Sequence, residues 1–253
     1  MIRRIGIFTY GVVSYAIFFA SFLYAVGFVG GFLTPTRLDG PPQGSLAALA
    51  IDGGLLALFA VQHSGMARPA FKRWLTRFVP APAERSTYVL LSNAALLLLF
   101  WQWRPLGGIV WDVPDGAARV AVYALSVAGW ATVFVATCLV SHFDLFGVRQ
   151  VWLAFRGVPY TPPPFVTPLA YRVVRHPLYV GWLTAFWAAP TMAADHLLFA
   201  AGMTAYILVA IRWEEQDLVA AHPEYTAYRR RVPMLLPRFR VGPSPRTGGS
   251  CPR

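Results

Sequence analysis

The chain has 253 residues, of which 57% are hydrophobic and 13% are charged, and its mean hydropathy is +0.50. Soluble domains average about 45–50% apolar and about 25% charged residues, so one water-surrounded core could not bury this much apolar surface. The net charge of +11 would suit a nucleic-acid partner in a soluble protein. Here the basic residues follow the loops between apolar runs, so the composition predicts an integral membrane protein with no nucleic-acid partner.

Six apolar runs approach the roughly 20 residues that a helix needs to cross a bilayer. They are 6–30, 45–65, 86–104, 117–141, 178–193 and 196–212. The first run is too long for a signal peptide and has no clear small-residue cleavage site, so we expect a retained span. The last two runs are short and joined only by Ala194-Asp195, which predicts a tight helical hairpin. Whether both of them cross fully is left open.

The distribution of basic residues tests this assignment. With the N-terminus in the cytoplasm, 19 of the 22 Arg and Lys residues lie on the cytoplasmic side, and only Arg37, Arg104 and Arg119 lie outside. This satisfies the positive-inside rule. The predicted fold is an all-α, polytopic membrane bundle of about six transmembrane helices, with both termini cytoplasmic and a C-terminal cytosolic helical cap. Residues 1–240 form one membrane-embedded domain, and the Pro- and Gly-rich segment 241–253 is predicted to be a disordered tail.

The basic segment Met66–Val79 interleaves aromatic and cationic residues. This spacing suits a short amphipathic helix on the inner leaflet. A solvated loop is an equally good interpretation.

A polar motif, Arg175–Gly181, precedes the fifth predicted span. Pro177 disfavours α-helix at His176 and suits the first turn of the span. Arg175 and His176 are therefore predicted to lie beside a helix N-terminus, which attracts carboxylate or phosphate groups. Gly181, one turn further, would let a ligand or another helix approach closely. A plain topology charge at Arg175 and a capping group at His176 stay open.

Two adjacent carboxylates, Glu214 and Glu215, follow the sixth predicted span in a chain with only 11 acidic residues. Adjacent helical positions point about 100° apart. One carboxylate can therefore pair with an arginine while the other accepts hydrogen bonds from ligand hydroxyls, although simple charge balance is the alternative. Tyr225, Tyr228 and Arg229 recur at helical spacing and predict a small helical lid.

Together these motifs resemble the isoprenylcysteine carboxyl methyltransferase superfamily, which also includes phospholipid methyltransferases and, more distantly, sterol reductases. The resemblance covers roughly residues 165–235. It implies a membrane methyltransferase that holds S-adenosylmethionine between its last spans and a cytosolic helix, with a cofactor-binding part at about 142–235. The implied cofactor-binding residues are Arg175, His176, Pro177, Tyr179, Gly181, Glu214, Glu215, Tyr228 and Arg229. The absence of a G-x-G-x-x-G turn fits a cofactor site of this non-Rossmann kind.

A narrower resemblance rests on three further segments, 62–69, 141–150 and 159–168. They are similar to the bacterial methanethiol S-methyltransferase family, and the first is shared with NnrU-like membrane proteins. The implied reaction converts methanethiol and S-adenosylmethionine to dimethyl sulfide and S-adenosylhomocysteine. The implied location is the bacterial inner membrane, with the active site facing the cytosol and with a small thiol and membrane lipid as partners.

Such a reaction needs a thiolate, whereas a simple thiol is mostly protonated near neutrality. A general base, or positive charge that lowers the thiol pKa, is therefore useful. His142 and Asp144 are the first candidates, followed by His63 and Glu214. For both histidines, ordinary hydrogen bonding at the membrane interface is an equally good interpretation.

Other functions stay open. The chain could methylate another small thiol, a lipid or a prenylated cysteine. It could also be a non-enzymatic, NnrU-like membrane protein that binds haem or metal through His63, His142 and His176, although no H-E-x-x-H or C-x-x-C motif supports a metal site. A transporter would need polar residues at mid-membrane depth, whereas the polar residues here lie at the cytosolic edge. The methyl acceptor, the base, the product's exit route and the oligomeric state are not determined by the sequence.

Overall fold

The computed structural model describes residues 1–42, 44 and 46–237. This part of the chain is mostly helical. Its helices are α1 (Ile2–Gly30), α2 (Leu46–Ala67), α3 (Pro69–Leu75), α4 (Glu84–Gln102), α5 (Ala117–Val140), α6 (His142–Leu145), α7 (Val148–Arg156), α8 (Pro177–Trp187), α9 (Ala194–Ala221) and α10 (Tyr225–Arg231). Two strands, β1 (Ile109–Asp112) and β2 (Thr191–Ala193), and two 3₁₀ turns, Ala81–Ala83 and Leu169–Arg172, complete it. The predicted tail 241–253 lies outside the described residues.

Four of the helices, α1, α2, α5 and α9, are long and apolar enough to cross a membrane. Their most apolar windows have mean hydropathies between 1.6 and 2.1. The prediction of a helical membrane protein is therefore confirmed. Helix α4 has 19 residues and α8 only 11, and neither belongs to this group in the described chain. The count of six spans stays a prediction.

The predicted hairpin between the fifth and sixth spans is wrong. Helix α8 ends at Trp187, a buried turn follows, and α9 begins at Ala194. Between them, β2 pairs antiparallel with β1 from the loop after α4. The indole N–H of Trp111 also donates to the carbonyl oxygen of Ala189 at 3.0 Å. The main-chain groups that are free beyond α8 thus find partners in a distant loop, which an apolar run in the sequence does not reveal.

Helices α5 and α8 pack with their backbones in contact. A Cβ atom added to Gly181 would lie 2.8 Å from the backbone nitrogen of Val133, and one added to Gly129 would lie 2.6 Å from that of Ala185. Small residues at such positions are typical of helix contacts in membranes. Later residues of α5 face earlier residues of α8, so the pair is antiparallel and places the end of α5 near the start of α8.

The loop after α4 is fixed to the neighbouring helices by two buried carboxylates. Asp52 of α2 accepts a hydrogen bond from the backbone N–H of Arg104 at 3.0 Å. Asp195 of α9 accepts one from the backbone N–H of Leu106 at 3.1 Å. Each acid satisfies an amide of the irregular segment that follows α4, which stabilises the end of the bundle that carries β1 and β2.

The opposite end of the bundle carries the short helices. Helix α3 lies within the segment predicted to be amphipathic. The rings of Phe71, Trp74 and Phe78 contact one another in series, with centroids 5.1 and 5.3 Å apart and tilted or edge-on geometry. Trp74 and Phe78 are exposed. Helix α10 occupies the position of the predicted helical lid.

Candidate functional site

Glu215, near the end of α9, is a buried carboxylate shared by several donors. Its Oε1 accepts a hydrogen bond from Nε of Arg175 at 2.7 Å, and Nε2 of His176 lies 3.1 Å away. The hydroxyl of Tyr225 lies 3.4 Å from the same oxygen, and Nη1 of Arg229 lies 3.7 Å from Oε2. The side chains of Arg175 and Glu215 are each 10% exposed. One carboxylate therefore joins the start of α8, the end of α9 and α10.

Arg175 also holds the C-terminal segment through main-chain bonds. Its Nη1 donates to two carbonyl oxygens at 3.0 and 2.6 Å. The backbone N–H groups of Arg175 and His176 donate to two further carbonyls at 2.8 and 3.2 Å. These acceptors belong, in order, to Arg229, Val232, Pro233 and Met234. The planar guanidinium presents several donors in a fixed geometry, so a lysine could not replace it here. Pro177 begins α8, as predicted.

Glu214 has a different environment from its neighbour. Its Oε2 accepts a hydrogen bond from the hydroxyl of Tyr179 at 2.9 Å, and Nδ1 of His176 lies 3.9 Å from that oxygen. The Glu214 side chain is 45% exposed. The expectation that one carboxylate pairs with an arginine is met by Glu215. Glu214 keeps free acceptor capacity, and its contact with ligand hydroxyls stays a prediction.

The remaining predicted cofactor residues serve helix packing in this structure. At Gly181 we expected the close approach of either a ligand or another helix. In the structure the backbone of α5 approaches it. Tyr228 donates to the carbonyl oxygen of Tyr171 at 2.5 Å, which fixes α10 to the 3₁₀ turn before α8. Burial raises the pKa of Tyr228 to about 12, so its hydroxyl is a donor at neutral pH.

His142 lies at the end of α5 in a network that fixes its tautomer. The hydroxyl of Thr137 donates its one proton to the carbonyl oxygen of Phe134 at 2.7 Å, so it accepts from Nδ1–H of His142, also at 2.7 Å. In the neutral ring Nε2 is then an acceptor, and Tyr15 of α1 donates to it at 2.9 Å. Burial lowers the pKa of His142. The neutral imidazole therefore has one defined basic nitrogen.

Asp144 lies in a separate environment. Its Oδ1 pairs with Nη1 of Arg149 at 2.9 Å, and its Oδ2 accepts from the hydroxyl of Tyr160 at 3.1 Å. No hydrogen bond joins Asp144 to His142 in the described part of the chain. The two leading base candidates are therefore not arranged as a hydrogen-bonded pair.

His63 of α2 contacts two α4 residues that the sequence reading missed. The hydroxyl of Tyr88 lies 2.8 Å from Nε2, and Oγ of Ser92 lies 3.2 Å from Nδ1. Tyr88 and Ser92 are four residues apart and so share one helix face. That spacing of polar residues inside an apolar run is a signal that could have identified them. Tyr15 carried no comparable signal, because it is a single hydroxyl in a long apolar helix.

The three histidines considered for haem or metal have different polar partners. His63 contacts α4, His142 contacts α1 and α5, and His176 contacts α9. Within residues 1–42, 44 and 46–237, no group of three or more His, Cys, Asp or Glu side chains is arranged to hold a metal ion.

Comparison with known proteins agrees with the resemblance seen in the sequence. The chain is 52% identical over 238 residues to a methanethiol S-methyltransferase of Crocosphaera subtropica, covering 93% of each chain. It is 55% identical over 232 residues to a methanethiol S-methyltransferase of Mycobacterium tuberculosis, covering 90% of this chain and 94% of the relative. It is 35% identical over 182 residues to Nurim of Mus musculus, covering 68% of this chain and 69% of the relative. No solved structure matches it. Residues 53–236, which include the whole Glu215 network, match the family described as NnrU protein, and the chain belongs to this family.

Proposed function

We propose that the chain is a membrane methyltransferase that moves the methyl group of S-adenosylmethionine to methanethiol, giving dimethyl sulfide and S-adenosylhomocysteine. Support comes from relatives of that name, which are 52% and 55% identical over at least 90% of the chain. The structural observation that carries the proposal is the unequal pair of carboxylates. Glu215 is committed to Arg175, whereas the half-exposed Glu214 beside Tyr179 can still accept hydrogen bonds.

The polar groups of this site fit the chemistry of the methyl donor. S-adenosylmethionine carries ribose hydroxyls and a carboxylate, and its sulfonium supplies the electrophilic methyl group. Glu214 would accept from the hydroxyls. The side chain of Arg229 is 51% exposed, and its Nη1 lies 3.7 Å from Glu215. Most of its guanidinium N–H groups are therefore free to donate to the carboxylate of S-adenosylmethionine. His176 and Arg175 would hold the two glutamates in position from behind.

Among the base candidates, His142 has the most suitable arrangement for taking the thiol proton. Its Nδ1–H is held by Thr137, which leaves Nε2 as the basic nitrogen. The lowered pKa keeps it unprotonated near neutrality. Both carboxylate oxygens of Asp144 already accept hydrogen bonds, from Arg149 and Tyr160, so neither is left free to face a thiol. Tyr15 would yield its hydrogen bond when Nε2 accepts the proton, and His63 is the second candidate.

The proposed topology has six crossings, with α4 and α8 spanning beside the four long apolar helices. Strand pairing brings the ends of α4 and α8 together at one end of the bundle. The start of α8 meets the end of α9 and α10 at Glu215, at the other end. In this topology 15 of the 18 basic residues that the structure describes lie on the side of the Glu215 network, and the positive-inside rule would make that side cytosolic in a bacterial inner membrane.

The first test is headspace gas chromatography over membranes that contain the full-length protein, supplied with methanethiol and S-adenosylmethionine. We expect dimethyl sulfide from the wild type. Glu214→Gln should lower kcat/KM for S-adenosylmethionine about 10- to 100-fold, because one hydrogen bond to a charged group contributes about 1.5–3 kcal/mol. The matched control is Glu224→Gln, an exposed acid on the same side whose carboxylate forms an ion pair with no described residue but His222, at 3.9 Å.

Two outcomes would contradict the proposal at different levels. Folded wild type that binds S-adenosylmethionine but gives no dimethyl sulfide would exclude methanethiol as the acceptor. Wild type that binds no S-adenosylmethionine by equilibrium dialysis would exclude the methyltransferase itself. Equal activity of Glu214→Gln and Glu224→Gln would remove Glu214 from the cofactor site.

A further inference from the structure

A second polar pocket lies between α3, the start of α4 and the α6–α7 segment, and the Glu215 network contributes no residue to it. Its volume is about 410 Å³. Its charged and polar walls are formed by Lys72, Glu84, Arg85, Asp144, Gln150 and Tyr160. Cationic and anionic groups therefore face the same space.

Two oxygen atoms in these walls lack a donor. Oε1 of Glu84 and Oε1 of Gln150 are buried, and neither has a hydrogen-bond partner. The orientation of Gln150 is fixed, because its amide N–H donates to the carbonyl oxygen of Asp144 at 3.0 Å. Its free end is therefore the oxygen. Buried acceptors are normally satisfied, so two of them at one pocket indicate a missing donor.

Two cations in the same walls have donors to spare. The side-chain ammonium of Lys72 makes no hydrogen bond or ion pair with any described residue, and burial lowers its pKa. Arg85 uses Nε on the carbonyl oxygen of Leu145 at 2.7 Å and lies 4.9 Å over the ring of Tyr88. Its two terminal nitrogens have no hydrogen-bond partner among the described residues. Lys72 and Glu84 line one pocket without forming an ion pair within 4 Å.

We propose that this pocket binds a small zwitterion, whose ammonium group donates to Glu84 and Gln150 and whose anionic oxygens accept from Lys72 and Arg85. A purely anionic ligand would leave both buried oxygens without a donor. A purely cationic ligand would leave Lys72 without a partner. A ligand with both groups, a few bonds apart, would satisfy both sets of atoms at once.

Two sources offer this chemistry, a free α-amino acid and the ethanolamine phosphate headgroup of a membrane lipid. The headgroup is favoured because Lys72 lies on α3, which carries the exposed ring of Trp74 and is followed by the exposed ring of Phe78. Aromatic side chains of this kind are enriched where protein meets lipid headgroups. A choline headgroup has no N–H group, so it cannot donate to the two oxygens.

Native mass spectrometry of the full-length protein tests the proposal. Delipidated protein in detergent is incubated with phosphatidylethanolamine, phosphatidylcholine and phosphatidylglycerol of identical acyl chains. A second arm adds O-phosphoethanolamine or L-methionine as competitor. The pocket variants are Lys72→Met and Glu84→Gln, with Lys72→Arg to retain the charge. The matched control is Arg73→Met, which removes one charge from an exposed neighbour outside the pocket.

We expect one phosphatidylethanolamine bound per chain, with at least tenfold preference over the other two lipids. Lys72→Met and Glu84→Gln should each lower occupancy at least fivefold, whereas Lys72→Arg and Arg73→Met should stay within twofold of wild type. Displacement by L-methionine, with the same sensitivity to the variants, would support the free amino acid as the source. Equal retention of the three lipids, loss of binding in Arg73→Met alone, or no saturable binding of any probe would overturn the proposal. The absence of saturable binding would indicate that the pocket contains only water.

Discussion

The shared carboxylate of Glu215 makes a quantitative prediction about α10. Glu215→Gln keeps the shape of the side chain and one acceptor oxygen, but removes the negative charge opposite Arg175. Both side chains are only 10% exposed, so solvent screens this pair weakly. Removing one partner of a buried ion pair costs about 3–5 kcal/mol. Because the amide oxygen still accepts one hydrogen bond, we take the lower end, about 3 kcal/mol.

This loss should act on the attachment of α10, because Tyr225 and Arg229 also face Glu215. If the whole cost appears in the opening of α10, the open population rises about 150-fold, since each 1.4 kcal/mol is a factor of ten. Cleavage of a transiently opened segment follows its open population when opening and closing are fast. Limited trypsin digestion measures this directly, because the last turn of α10 consists of Arg229, Arg230 and Arg231.

The expected result is cleavage within α10 about 150 times faster in Glu215→Gln than in wild type, read by mass spectrometry. Glu224→Gln, an exposed acid adjacent to α10, should cleave at the wild-type rate. Arg175→Gln should release α10 at least as much, because it also removes the bonds from Nη1 to the carbonyl oxygens of Arg229 and Val232. The two changes together should cost less than their sum, because each of them alone already breaks the Arg175–Glu215 pair. An increase below fivefold, or full additivity, would refute the argument that this carboxylate holds α10.

Two further predictions concern the contact between α5 and α8 and the partly buried His142. Gly181→Ala should destabilise the protein by about 1–3 kcal/mol in detergent unfolding, because its Cβ would lie 2.8 Å from a backbone nitrogen of α5. Gly6→Ala, with nothing within 4 Å, should stabilise it by about 0.5–1 kcal/mol, and equal responses would contradict this packing. Above about pH 6.5, His142 is unprotonated in both the folded and the unfolded protein. Below that pH the unfolded chain binds it first, because burial lowers the folded pKa, so stability falls until the folded pKa is reached. His142→Gln should flatten this decrease, and an unchanged slope between pH 5 and 6.5 would contradict the assignment.

The sequence was informative wherever a local rule decides the structure. Chain hydropathy located the long helices, and Pro177 marked the first residue of α8. The adjacent pair Glu214-Glu215 indicated two carboxylates with different partners, and the structure gives them different partners. These features depend on residues within one or two helical turns of each other, so pattern and spacing were sufficient.

The sequence was uninformative wherever distant segments supply the partners. Tyr15 and His142 are 127 positions apart, and no property of either marks the contact. The pairing of β1 with β2 likewise joins two loops whose residues look unremarkable in isolation. The buried oxygens of Glu84 and Gln150 became visible only once three segments were packed around them. Such contacts follow from tertiary packing and carry no periodic signal.

The shortness of α8 has a consequence for how the protein enters a membrane. Eleven residues at about 1.5 Å each give a helix of roughly 16 Å, about half of a typical hydrocarbon core. In the proposed topology the non-helical chain beyond Trp187 would lie at membrane depth, where backbone groups are tolerated only if protein covers them. Ala188, Ala189 and Pro190 are buried, and β1 with Trp111 supplies the hydrogen bonds. In that topology the stable insertion of α8 would require the earlier loop to cover this backbone, so α8 would join the bundle together with that loop and not as an independently recognised segment.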